Sequence, residues 1–424
     1  MAGHARIGWA PVWVAATLIA GAIGARAQSD KTVESKPESP ASAMSPTESY
    51  KVAMAPFQAT RSQPDDLTDA DQIALGIGMT KAGQDCLRLT GDSSSFSQNA
   101  EQLFALGQLC MFGQQFEAAR ADLVNYLALP DPPRREEALL MLARAFLGLD
   151  SPRPADAQIE SLLRDSPYDA PIHLAIDEVV EGALAVDDDE TALRLCQMQT
   201  AATLPILKGG RALGGKDSSV PAAALFRDAI RCAALARSSG QPDSLDQLVT
   251  VGQQPSWDGT ADLPVIQSAL RRQVMVGEKA PLSIVRGNAV SAAALVPRSI
   301  SLVHGTALLV PFTLWSPSTP AVLASIARGA PHQTIYAVTS WHANTGGADQ
   351  PSRQMLEGMR LWQRSLPRRV VLLILPDSEL SLFAADVFPA GIVVKDKKVI
   401  ANMPLSGKGS QRFLLKAVEE RRGD

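Results

Sequence analysis

The chain has 424 residues, 46 % of them hydrophobic, and its 40 basic against 44 acidic side chains leave a formal net charge of −4. A mildly acidic chain without a basic block lacks the electrostatic footprint of a nucleic-acid binder. The length suffices for two or three domains of ordinary size.

Residues 1–27 carry Arg6, an apolar stretch from Ile7 to Gly24, and the small-x-small triplet Ala25-Arg26-Ala27. This layout is that of a secretory signal peptide. It predicts cleavage after Ala27, a mature chain from Gln28, and a periplasmic or secreted location. An uncleaved N-terminal anchor is the alternative and would give the same compartment. No cysteine stands at the cleavage point to take a lipid. No later segment offers roughly 20 consecutive apolar residues, so no membrane span is expected in the mature chain. Cleavage removes two arginines and no acid, taking the formal charge from −4 to −6. Residues 28–66 are rich in Ser, Pro, Glu and Lys. They offer too little apolar surface to offset ordering entropy, which predicts a flexible, disordered linker.

Residues 67–255 show apolar residues at helical spacing, broken by Pro, Gly and Asp-rich turns. Residues 99–130 predict one antiparallel helix pair, with Leu106 and Gly107 on the first helix, Phe116, Ala119 and Leu123 on the second, and Pro130 as the stop. Residues 136–167 predict another, with Ala143, Phe146, Ala155, Ile159 and Leu162 in corresponding places. A third runs over 170–199, with Ala192 and Cys196 on its second helix. Each pair leaves an apolar face that only a neighbouring pair can cover, so the pairs should stack. The step from Gly107 to Ala143 is 36 residues. This spacing resembles a degenerate tetratricopeptide array, whose repeat is about 34 residues, without that family's Trp and Tyr signature. The resemblance implies an all-α helical-repeat domain with a groove for peptides or proteins. A plain scaffold with no groove ligand is the alternative.

All four cysteines, Cys86, Cys110, Cys196 and Cys232, fall in this region. An even count in an exported chain predicts disulfides. Of three possible connectivities, 86–110 with 196–232 is favoured because it joins sequence-adjacent helices both times. Buried free thiols packing as small apolar groups are the alternative. No CxxC or Cys/His spacing points to a zinc site, and neither metal nor cofactor is expected. GRALGGKD at 210–217 imitates a phosphate loop, but Asp217 stands where that loop needs a hydroxyl and no strand precedes it.

From about Val276 the periodicity changes. TALLVPFTLW (306–315), TIYAVTSW (334–341) and RVVLLILPD (369–377) read as buried parallel strands, with helices at 316–329 and 351–366 between them. GIVVKDKKVIANMP (391–404) reads as a hairpin turned at Lys395 to Lys397, and 408–421 as a closing helix. The predicted order, β-α-β-α-β-β-β-α, is an α/β sheet with helices on both faces.

Three segments in order, GEKAP (277–281), GTALLVPFTLWSPSTP (305–320) and VFPAGIVVKDKKVIA (387–401), resemble a thioredoxin-like domain of the TlpA/ResA type over residues 276–424. In that family a strand ends in Trp-Cys-x-x-Cys-Pro and a cis-proline loop precedes the hairpin. Here Trp315-Ser316-Pro317-Ser318-Thr319-Pro320 matches the first motif and Phe388-Pro389-Ala390 the second, with both cysteines gone. Disulfide exchange needs an attacking thiolate and a resolving thiol, and a hydroxyl at 316 or 319 supplies neither. Ser316-Pro317 is also simply a good helix start. The ends of parallel strands open on one edge of such a sheet. Trp315, Ser316, Trp341, His342 and the loop before Pro389 are therefore expected to share a surface, which in active relatives holds an extended peptide. A Ser316/His342 nucleophile pair lacks an oxyanion donor and an orienting acid.

The sequence thus predicts an all-α repeat domain (67–255) followed by an α/β thioredoxin-like domain (276–424). It leans away from an enzyme and towards an exported protein-binding scaffold whose partner is an envelope or extracellular protein or peptide. The competing expectation is a thiol-disulfide oxidoreductase using the helical cysteines.

Overall fold

A computed structural model describes residues 44–60, 69–91, 99–210, 212–214, 219–242, 244–291, 294–314, 316, 319–340, 353–384, 389–405 and 407–419. The predicted leader falls outside them, as does half of the phosphate-loop mimic at 210–217. Among these residues an N-terminal helical region precedes a C-terminal α/β region. By contacts the chain divides into two compact units, 1–179 with 214–218, and 180–213 with 219–424. This division lies inside a helix, whereas the sequence suggested one between 255 and 276. The helices after 180 group with the sheet.

The first unit begins with helices α1 (Pro46–Thr60) and α2 (Asp69–Gly91). Helix α1 corrects the reading of 28–66 as a disordered linker throughout. Ser45 and Glu48 form a reciprocal cap: Glu48 N donates to Ser45 Oγ (3.3 Å) and Ser45 N to Glu48 Oε2 (3.0 Å). Pro46 fits the first helical position. Ala53 and Met54, both 2 % exposed, join the core of this unit. The helix packs because Pro46, Ser49, Tyr50, Ala53 and Met54 recur at helical spacing on one inward face, while Val52 and Ala55 point outward.

Helices α3 (Ala100–Phe112) and α4 (Phe116–Leu127) make the first predicted pair, α5 (Arg135–Gly148) and α6 (Pro152–Asp165) the second. Helix α7 (Ala170–Ala185) crosses into the second unit, where α8 (Asp189–Lys208) follows. A Cβ added to Gly107 would sit 2.8 Å from Leu123 Cδ2, so the α3–α4 contact needs glycine there. The three pairs share one turn. Gln114, Asp150 and Asp187 each have positive φ (56°, 52° and 62°). The next residue's N–H in each case reaches back to a helical carbonyl: Gln115 to Cys110 (2.8 Å), Ser151 to Phe146 (2.9 Å), Asp188 to Ala183 (2.9 Å). Such left-handed closures satisfy the last carbonyls of a helix.

In the second unit, two short strands, β1 (Leu213–Gly214, assigned in part to the first unit) and β2 (Ser219–Val220), precede α9 (Ala222–Ser238). Helices α10 (Leu245–Gly252) and α11 (Leu263–Met275) follow. Between them Trp257 is 2 % exposed and donates its indole N–H to Val251 O at 2.7 Å, so the polar stretch after 238 is packed at that point.

Seven strands make one sheet: β3 (Ile284–Val290), β4 (Leu295–Ser301), β5 (Thr306–Pro311), β6 (Ile335–Ser340), β7 (Val370–Leu375), β8 (Ala390–Lys395) and β9 (Lys398–Pro404), in spatial order β4-β3-β7-β6-β5-β8-β9. Strands β5, β6 and β7 are parallel, and the others join antiparallel. Strand β5 ends at Pro311 rather than 315, and the following helix starts at Thr319 rather than 316. Helix α12 (Thr319–Gly329) connects β5 to β6 and α13 (Arg353–Ser365) connects β6 to β7. Both pack on the sheet face that carries Leu308, Val310 and Phe312, together with the final helix α15 (Lys408–Glu419). The opposite face, with Ala307 and Leu309, is covered by α14 (Asp377–Leu382) and the chain around Met275. Glu181 ties α7 into this unit, accepting from Arg231 Nη1 (2.9 Å) and from Ser410 N at the start of α15 (3.1 Å).

Candidate functional site

The chain leaves the centre of the sheet at the C-terminal end of β5. Phe312 N still donates to Val338 O (2.9 Å), continuing the parallel pairing. Two tight turns follow, in which Ser316 N donates to Thr313 O (3.3 Å) and Thr319 N to Ser316 O (3.2 Å). Thr319 is the first residue of α12. Ser316 is half-buried, while Thr319 is fully buried and its hydroxyl oxygen has no hydrogen-bond partner among the described residues.

Pairing of Leu309 with Ile392, continued along the antiparallel ladder, sets Phe312 opposite Pro389. Pro389 is buried, and its carbonyl accepts from Leu405 N at 2.9 Å. Pairing of Pro311 with Val338, continued, sets Thr313 level with Ser340. Thr339 and Ser340, both buried, close β6 at the same end of the sheet as the end of β5 and the start of β8. Thr339 and Ser340 went unnoticed in the sequence, although TS closes an otherwise apolar strand. Trp315, Pro317, Ser318, Trp341 and His342 lie outside the described residues.

The sulfurs are elsewhere. Cys86 joins Cys110 and Cys196 joins Cys232, the connectivity favoured above. The four residues are 0–2 % exposed. Asp122, 1 % exposed, has its Oδ2 3.7 Å from Cys110 Sγ and 3.5 Å from Thr90 Oγ1. Burial pushes its carboxyl up to about 6, with the Thr90 hydroxyl working the other way. Among the described residues no group of three or more His, Cys, Asp or Glu side chains could hold a metal ion, and no helix is long and apolar enough to cross a membrane.

Comparison with protein-family models, curated proteins and solved structures finds no match.

The chemistry of the corner follows from its atoms. Ser316 and Thr319 offer hydroxyls, which neither ionise as thiols do near neutral pH nor form disulfides. The corner presents the half-buried Ser316 and strand-end backbone, whereas Thr319, Thr339 and Ser340 are closed off from solvent.

Proposed function

We propose that the chain is an exported, non-catalytic binding protein: a helical-repeat scaffold joined to a redox-inactive thioredoxin-like module of the TlpA/ResA type. The observation that carries this reading is the β5–α12 corner. On the TlpA/ResA resemblance a half-buried Ser316 and a fully buried Thr319 take the places of the attacking and resolving cysteines, and β8, which follows Pro389, pairs with β5. Burial of all four sulfurs in two disulfides weighs against thiol exchange by the helical region. The identical turns after α3, α5 and α7, 36 and 37 residues apart (114 to 150, 150 to 187), support the repeat reading. Two disulfides are compatible with an oxidising compartment. The ligand of the corner is an extended protein segment laid along the strand edge beside Pro389.

A photo-crosslinking side chain placed at Ser316 tests the binding role in the native host. A discrete protein adduct, absent when the same group is placed at the exposed turn residue Asp150, is expected. Equal background at both positions would reject the binding role.

A further inference from the structure

We propose that a second site, the cleft at the β9 edge of the sheet, binds an amphipathic organic anion: an apolar chain with a carboxylate head. The cleft measures about 460 Å³ and lies among α9, α11, β9 and α15. That volume is in the range of small-molecule sites and has room for a chain of roughly a dozen carbons.

Its walls explain the ligand class. Ile230, Ala234, Val276 and Ile400 give it an apolar lining, yet six basic side chains share that lining with one acid, Asp189. Several of these cations are answered within the protein: Lys416 by Asp187 and Asp189 (both 2.9 Å), Arg231 by Glu181 (2.9 Å), and Arg272 by Ser268 Oγ (3.4 Å) and Ala384 O (3.5 Å). Among the described residues Arg227 has one ion pair, a long contact of 3.8 Å with its chain neighbour Asp228, and Lys398 is exposed and in none. Arg227, Ile230, Arg231 and Ala234 recur at helical spacing on one face of α9, so charge and apolar surface alternate along the same wall. An apolar tail can be buried there while an anionic head meets Arg227 and Lys398.

A peptide added as an eighth strand fits worse, because the outer edge of β9 is already occupied. Val399 N donates to Glu278 O (2.9 Å), Gly277 N donates to Val399 O (2.8 Å), and Gln273 Nε2 donates to Asn402 O (3.4 Å). The cleft is two strands from the corner after β5, so it stands or falls independently of the function proposed above.

Calorimetric titration of the full mature chain with dodecanoate, below its micelle concentration, tests the site. Dodecanoate should bind, and dodecyltrimethylammonium at the same concentration should not. Arg227→Glu and Lys398→Glu, at side chains that solvent reaches, should each weaken dodecanoate about tenfold. Ala234→Trp, which fills the cleft, should abolish binding without changing the circular-dichroism spectrum. No heat with dodecanoate, equal binding of the cationic detergent, or unchanged affinity in both charge-reversed variants would overturn the proposal.

Discussion

The double substitution Ser316→Cys with Thr319→Cys asks whether the β5–α12 corner has the geometry of a redox motif. Thr319 N donates to Ser316 O at 3.2 Å, so the two residues close a four-residue turn. The ends of such a turn lie within about 7 Å, and a disulfide spans roughly 4.4–6.8 Å between Cα atoms. Loop-closure entropy for so short a ring corresponds to about 2 kcal/mol. A second gain comes from Thr319, whose buried hydroxyl has no partner among the described residues: replacing it with a sulfur of similar size removes a desolvation cost of about 1 kcal/mol or more. The oxidised variant should therefore resist urea better than the natural chain by about 2–3 kcal/mol. Mass spectrometry should show the loss of two hydrogens on oxidation. After mild reduction, the sulfur at the half-buried position 316 should alkylate much faster than the one at 319. Two sulfurs that stay reduced under oxidant, or that alkylate at equal rates, would falsify the geometric reasoning.

Glu181→Ala removes a partner of Arg231 and the acceptor of Ser410 N, in side chains 16 % and 12 % exposed, and should cost about 3 kcal/mol in urea unfolding. A loss below about 0.5 kcal/mol would mean the contact is marginal. Asp122→Asn should change the pH profile of stability. The folded carboxyl titrates near 6 against an ordinary 3.8, so ionisation costs the natural chain stability from about pH 4 upward, fully above about 6. The variant should match it in acid and exceed it by about 2 kcal/mol at neutral pH, and parallel profiles would contradict this. Asp150 holds a left-handed turn with an exposed side chain, so Asp150→Gly should raise stability by about 0.5–1 kcal/mol, read from the denaturation midpoint.

The helix pairs from 99 to 208 were legible because each combines a strong apolar period with a short polar turn. Strands β5, β6 and β7 were legible as apolar runs, being buried on both faces. Strands β3 and β4 were not. Along β4 only Ile300 is buried, and Pro297 and Arg298 interrupt the pattern. In β3, Gly287 reads as a breaker, yet a Cβ there would lie 2.6 Å from Ile374 O, so the backbone approach to β7 requires it. Helix α1 hid in a polar segment, although Ser45-Pro46-Thr47-Glu48 is a recognisable capping box. At the corner, residue order and hydroxyl chemistry could be read directly, whereas the full burial of Thr319 depends on packing against the sheet. The β9 cleft was illegible for a different reason: its cations come from several elements between Arg227 and Lys416 that only the fold brings together.

The most direct measurement is insulin reduction in the presence of dithiothreitol, with the natural chain as catalyst. With hydroxyls at 316 and 319 and every cysteine sealed in a buried disulfide, insulin should precipitate no faster than in buffer alone. Acceleration proportional to protein concentration would contradict a redox-inactive module.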